Sequence, residues 1–202
     1  MKIFNNISLT IVLVAALSAC AQVTLIKPGI VTIDDTLTVT AQNAWNKFPI
    51  SDGMEIWTFD GPDLQALSFN TQIKEGENIF RQVSSVGQTT ATFDNIPKFR
   101  KGMTPIEISE MYVASYQQIG LTGVKVTGIR SEEFAGRTGF YFELEYTDKE
   151  GLERQGIVHG TVQDGVMHLI TYTAPKIHYF KRDRALADRI IKSARFLSPA
   201  GA

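Results

Sequence analysis

The segment Thr138-Gly-Phe-Tyr-Phe-Glu-Leu-Glu-Tyr-Thr147 decides the fold class. Phe142, Leu144 and Tyr146 alternate with Glu143 and Glu145, a period of two that belongs to a strand and not to a helix. Asp148 to Gly151 supplies a turn, and a second strand reads over about 152–163. Asp164-Gly165 is the kind of pair found in the primed turns of tight hairpins, and a further strand reads over 166–174. Upstream, about 123–131 reads as another. Four consecutive strands joined by short turns make an antiparallel meander.

Helical signals stand on both sides of that meander. Thr104-Pro105-Ile106-Glu107 is a capping box with proline at the first helical position. Behind it Ile108, Met111, Tyr112, Ser115 and Ile119 recur at helical spacing, and Gly120 ends the run. A last helix is expected over about 182–195, with Leu186, Ala187, Ile190, Ile191 and Ala194 on its buried side. Toward the N-terminus the texture is β: Leu37 to Ala41, Met54 to Phe59 and Leu64 to Ile73, the last two separated by the turn Asp60-Gly61-Pro62. Strands, helix, meander, helix is the order of an α+β fold, an antiparallel sheet with helices packed on it. Nothing alternates strand with helix as a doubly wound fold would.

These features together resemble the PsbP-like family, which includes the extrinsic photosystem protein, a eukaryotic Ran-binding import factor and bacterial DcrB-type lipoproteins. The resemblance is carried by Thr104-Pro105-x-Glu107 opening the central helix, by Phe134-Ala-Gly-Arg-Thr-Gly-Phe-Tyr-Phe-Glu-Leu-Glu-Tyr146, by the hairpin around Asp164-Gly165, and by the closing Ser193-Ala-Arg-Phe196. It spans roughly Leu37 to Leu197. It implies an α/β/α sandwich and a binding or assembly role, since family members are mostly non-enzymatic; it transfers no metal or partner-binding motif to particular positions here.

The N-terminus reads as an export signal. Met1-Lys2 is a minimal positive start, and Ile7 to Leu17 is an apolar core of about ten residues, half of the roughly 20 that a membrane-spanning helix needs. It runs into Leu17-Ser18-Ala19-Cys20, which resembles the lipobox of bacterial lipoproteins, and Cys20 is the only cysteine in the chain. An exported protein with one thiol makes no internal disulfide, and lipidation of that thiol explains it. The domain plan is therefore a signal peptide over 1–19, an acylated Cys20 with a tether over 20–28, and a single domain over 29–202. Ala21-Gln22, with no aspartate after the cysteine, favours sorting to the outer membrane of a Gram-negative cell, with the domain facing the periplasm and the inner membrane as the other destination.

With 20 basic and 21 acidic residues the chain carries a formal charge of -1. It has no basic patch, so nucleic acid is excluded as a partner. No cofactor is expected, for the sequence holds no Gly-x-Gly phosphate loop, and Ser84-Ser85 lack a base nearby. His159 and His168 form the most suggestive pair. With Asp164-Gly165 as a two-residue turn, Thr161 faces His168, and His159 lies diagonally on the same face, roughly 7–8 Å away. Two imidazoles, with His178 downstream, could begin a zinc site, although no His-x-His or His-Glu-x-x-His spacing occurs and no metal is expected. Asp60 and Asp63, beside Trp57, could form an acid pair or a binding surface; the plainer reading is an Asp-rich turn bonded to its own backbone. Glu143 and Glu145 could pose as a glycosidase dyad, but a solvated sheet face explains them. The expected function is that of a lipid-anchored envelope factor without catalysis, engaging a protein partner through a sheet face or the loops at Asp60 and Phe99-Arg100-Lys101. The rivals are a cell-wall or lipid hydrolase using Asp60, Asp63 and the histidines, and a carrier of a small apolar ligand.

Overall fold

The computed structural model describes residues 23–51, 54–80 and 95–197. The signal peptide, Cys20 and Ser84-Ser85 lie outside the described residues. Among the described residues eleven strands and two helices follow in chain order: β1 (Thr24–Ile26), β2 (Gly29–Ile33), β3 (Leu37–Ala41), β4 (Trp45–Ser51), β5 (Met54–Thr58), β6 (Ala66–Ile73), α1 (Pro105–Gln118), β7 (Thr122–Phe134), β8 (Arg137–Thr147), β9 (Glu153–Gln163), β10 (Val166–Pro175), α2 (Tyr179–Lys192) and β11 (Arg195–Phe196). Eight strands form one antiparallel sheet in the order β1-β4-β5-β6-β10-β9-β8-β7, and β11-β3-β2 form a small second sheet. Among the described residues no helix is long and apolar enough to cross a membrane.

The meander is as the sequence reads. Gln163 pairs with Val166 across Asp164-Gly165, and both turn residues have positive φ, at 52° and 79°. That is the backbone of a primed hairpin turn, which asks for glycine or a short polar side chain. The capping box of α1 is present in full: Glu107 N–H donates to Thr104 Oγ1 at 3.3 Å, and Thr104 N–H donates to the Glu107 carboxylate at 2.8 Å.

Because β8, β9 and β10 are covered on both faces, their alternating side chains feed two separate cores. Phe140, Phe142, Leu144, Val158, Met167 and Leu169 pack under Ile108, Met111, Tyr112 and Tyr116 of α1. Tyr141, Ile157, Ile170 and Tyr172 point the other way, toward Ala187, Ile190 and Ile191 of α2 and toward Ile33, Leu37 and Val39 of the small sheet. Trp45 and Trp57 are fully buried in this second core, with Phe59 stacked on Trp45 at 3.8 Å and Phe69 at 4.7 Å from Trp57.

Four features differ from the sequence reading. Residues 24–26, read as part of the tether, are β1 and pair with β4, so the sheet begins four residues after Cys20. The strands β2 and β4 were not legible, nor was the second sheet. The last helix runs three residues earlier than expected, opening after His178 at φ 73° and burying Phe180 in its first turn. Arg195, expected in that helix, instead starts β11 and pairs with Thr38. Strands of two or three residues are too short to show a period, and only a distant partner brings them out.

Candidate functional site

A ladder of polar and aromatic side chains crosses β7, β8 and β9 on the α2 face of the large sheet. The register sets Arg130 opposite Tyr141, and Tyr141 opposite His159. The Arg130 guanidinium lies 3.6 Å over the Tyr141 ring, and the His159 ring meets Tyr141 edge-on at 4.8 Å. Tyr141 Oη donates to Glu143 Oε1 at 2.5 Å. Arg184 of α2 reaches down to both, donating to Tyr141 Oη at 2.9 Å and to Glu143 Oε1 at 2.7 Å. Arg184 and Asp188 stand four residues apart on one side of α2 and lie 3.9 Å apart.

His159 sits at the centre of this array with 3% of its surface exposed. Its Nδ1 lies 3.3 Å from Glu132 Oε1, while Nε2 lies 3.9 Å from Asp188 Oδ1. Nε2 has no hydrogen-bond partner among the described residues. Burial holds its pKa down to about 4, although the Glu132 carboxylate pulls upward; Arg130, Lys192 and Arg184 reinforce the lowering. At neutral pH the ring is therefore uncharged. Burial raises the Asp188 carboxyl in turn, against the pull of Arg184 and Lys192. Glu143 is lowered, chiefly by the hydrogen bond from Tyr141. Burial first, then Glu143, push Tyr141 up to about 12. A cleft of about 220 Å³ opens beside the array, lined by Glu132, His159, Lys192 and Arg195.

A buried neutral histidine makes stability depend on pH. An unfolded histidine takes up its proton near 6.5, whereas folded His159 resists until about 4. The unfolded state thus binds more protons in between, and stability falls as pH drops from 6.5 toward 4, by about 3 kcal/mol at most. The raised carboxyl of Asp188 acts in the opposite sense, so the His159→Gln variant is needed to isolate the histidine. Denaturant unfolding at several pH values should show a flatter profile over that window in the variant. Parallel profiles for the two proteins would remove His159 as the cause.

His168 shares the face with His159, as the hairpin register requires, but serves a different neighbourhood. Its Nδ1 accepts from the Gln72 N–H at 3.3 Å, at a bulge between β6 and β10 where Gln72 has φ 58°, and Phe196 packs against its ring at 5.0 Å. Both histidines are buried, His159 beside Asp188 of α2 and His168 beside Phe196 of the small sheet. His178 is exposed at the start of α2. Among the described residues no three His, Cys, Asp or Glu side chains are grouped to hold a metal ion.

The other candidates are likewise given separate partners. Asp60 pairs with Arg182 of α2, and Arg182 also grips Asp183 at 2.6 Å. This ties the β5–β6 turn to the helix. Asp63 is held through its backbone, its carbonyl accepting from Arg154 Nη1 at 2.8 Å, and Arg154 also meets Asp148 at 3.3 Å. An open groove of about 580 Å³ lies here, lined by Asp63, Leu64, Tyr146, Asp148, Leu152 and Arg154 among others. Trp57 is core: its indole N–H donates to Glu55 at 2.7 Å and its ring meets no solvent, which removes it as a contact surface. Glu145 bonds with Gln155 at 2.8 Å and lies 3.9 Å from Lys176. Phe99 is buried, leaving Arg100 and Lys101 as the exposed part of their loop.

No family model matches the chain, and no curated protein matches it in sequence. Its architecture does have a counterpart among solved structures. Cyanobacterial PsbP (CyanoP) from Synechocystis sp. PCC 6803 superposes with a TM-score of 0.52 at 12% identity, over 90% of this chain and 96% of that one. The fold is PsbP-like. LpqN of Mycobacterium tuberculosis, involved in cell envelope biogenesis, also aligns over 90% of this chain and 88% of its own, at 12% identity and a TM-score of 0.37. At such identity the likeness to CyanoP is one of fold. The PsbP-like sandwich accounts for the two helical layers. It assigns no role to the array of Arg130, Tyr141, Glu143 and His159, of which sequence reading singled out only His159 and Glu143. The one available signal was the four-residue spacing of Arg184 and Asp188 beside the apolar stripe of the last helix.

Proposed function

We propose that the protein is a lipid-anchored factor of the bacterial envelope that binds or helps assemble another protein and performs no catalysis, with its domain facing the periplasm from the outer membrane. The lipobox at Leu17-Ser18-Ala19-Cys20 supports the anchor, and Ala21-Gln22 support the outer membrane as destination. The PsbP-like fold is compatible with the role but does not by itself assign it. The observation that carries the binding reading is where the acid and base candidates go. Asp60 is spent on Arg182, Glu143 on Tyr141 and Arg184, and His168 on the Gln72 amide, each fastening one element of the domain to another.

A hydrolase built on Asp60, Asp63 and the histidines would need them to converge on one cleft. Instead Asp60 meets α2, Asp63 lines a groove with Arg154, and His159 lies between Glu132 and Asp188. An apolar carrier would need a hollow between sheet and helix, and the described residues of both layers send aromatic and branched side chains into that space. The exposed loops at Asp63 and Arg100-Lys101 are the proposed contact points. Photo-crosslinking residues placed at 63 and 101 of the full-length protein in its native membranes should each give a discrete adduct with an envelope protein. The same probe at exposed Ile129, on β7 at the far edge of the sheet, should give none. Absence of adducts at 63 and 101 would overturn the binding reading.

A further inference from the structure

Eight large apolar side chains are conspicuously exposed among the described residues, and three of them cluster in sequence just after the lipobox. Val23 is 49% exposed, Leu25 58% and Ile30 78%. Leu25 lies on β1, the outermost strand of the large sheet, and Ile30 on β2, the outermost strand of the small one. Only Ile26, Lys27, Pro28 and Gly29 separate them, with Lys27 exposed between.

Chain length then restricts where this edge can sit. An extended chain advances at most about 3.6 Å per residue, so the Val23 backbone stands within about 11 Å of Cys20 and that of Leu25 within about 18 Å. The polar layer of one leaflet is about 5–8 Å deep. An acylated Cys20 lies at the inner border of that layer, so β1 cannot be held far above it. Apolar side chains and a lysine held at that height are groups that favour the membrane interface.

We propose that the β1 edge, with Val23, Leu25 and Ile30, rests in the phospholipid headgroup layer and stands the domain edge-on to the membrane, with β7 directed away. The inference rests on acylation of Cys20 and adds to it an orientation. The occupant is the bilayer surface. The large sheet places seven strand spacings of about 4.8 Å between β1 and β7, so Ile129 on β7 is the far reference point.

The test uses tryptophan emission from the full acylated protein, purified from its native membrane and placed in vesicles of phosphatidylethanolamine and phosphatidylglycerol with brominated acyl chains. Native Trp45 and Trp57 are buried in the core, and the emission of the parent protein in the same vesicles is subtracted as background, because Trp45 pairs with Ile26 of β1. Leu25→Trp, and Val23→Trp as a second variant, should lose most of their added emission to the bromines, and Ile129→Trp should retain its own. Intact mass is read on the same samples. An acylated protein whose indole at 25 and 23 stays bright would overturn the docked edge while leaving the anchor standing. Equal quenching at 25 and 129 would overturn the edge-on orientation. A bright indole at 25 whose emission shifts with protein concentration in detergent would assign the edge to a second copy and overturn the bilayer as occupant. A chain without lipid mass would remove the anchor and this inference with it.

Discussion

Gly160→Val is expected to lower the stability of the domain by more than about 3 kcal/mol and its melting temperature by roughly 10 °C. Gly160 lies in the middle of β9, opposite Phe140 on one side and Leu169 on the other. A Cβ added there would stand 2.6 Å from the His168 carbonyl oxygen, 2.7 Å from Leu169 Cδ2 and 2.8 Å from Phe140 Cζ. The first of these is backbone, which can retreat only by opening the β9–β10 ladder. The Phe140 ring occupies the space that a side chain would need and belongs to the core under α1. Two branched methyls enlarge the conflict further, in a domain whose whole margin is of order 5–15 kcal/mol. Gly151→Asn is the comparison: its site is open, with nothing within 4 Å, and asparagine tolerates the φ of 83°. It should cost no more than about 1 kcal/mol. Thermal unfolding of the three proteins decides the matter, and a Gly160→Val melt within two or three degrees of the parent would overturn this packing account.

Cys20→Ser should change location as completely as Gly160→Val changes stability. The thiol is the group that takes the diacylglyceryl chain in a lipobox, and serine does not replace it there. The variant should keep residues 1–19, lack the mass of any acyl group and disappear from the outer-membrane fraction. The effect is large because anchoring is steep in chain number. A single myristoyl-length chain binds with about 10⁴ M⁻¹, while each further buried CH₂ adds about 0.8 kcal/mol, so two or more chains hold essentially all of the protein. Intact-mass spectrometry and fractionation read both consequences. A parent protein found soluble, unacylated and cut elsewhere would overturn the anchor and leave Cys20 an unmodified thiol.

The two variants probe opposite kinds of information. The expectation at Cys20 rests on a local pattern, since a lipobox is read by other proteins on an extended chain with no tertiary structure involved. The crowding at Gly160 was not legible, since it depends on which residues of two neighbouring strands arrive opposite it. The candidate site divides in the same way. The shared face of His159 and His168 followed from a two-residue turn and strand parity, and the register confirmed it. What surrounds each ring did not follow. Glu132 is 27 positions from His159 in sequence and Asp188 is 29 positions away, and only the β7–β8–β9 register and the seating of α2 bring them to it.

By itself the sequence determined the elements whose causes are local: the meander over about 123–174, the capping box that opens α1, the primed turn at Asp164-Gly165 and the apolar stripe of α2. Tertiary structure alone decided which faces became interior. Coverage of the central strands on both sides buried Tyr141, His159 and His168 and turned Trp57 from a candidate contact into core. It also decided that residues 24–26 and 195–196 are strands, because segments this short acquire a conformation only from the partner strand that hydrogen-bonds to them. The physical reason is common to all of these. Periodicity and capping are set within a few residues of chain, whereas burial, pairing and the pKa of a buried ring are set by whatever the fold brings to the other side.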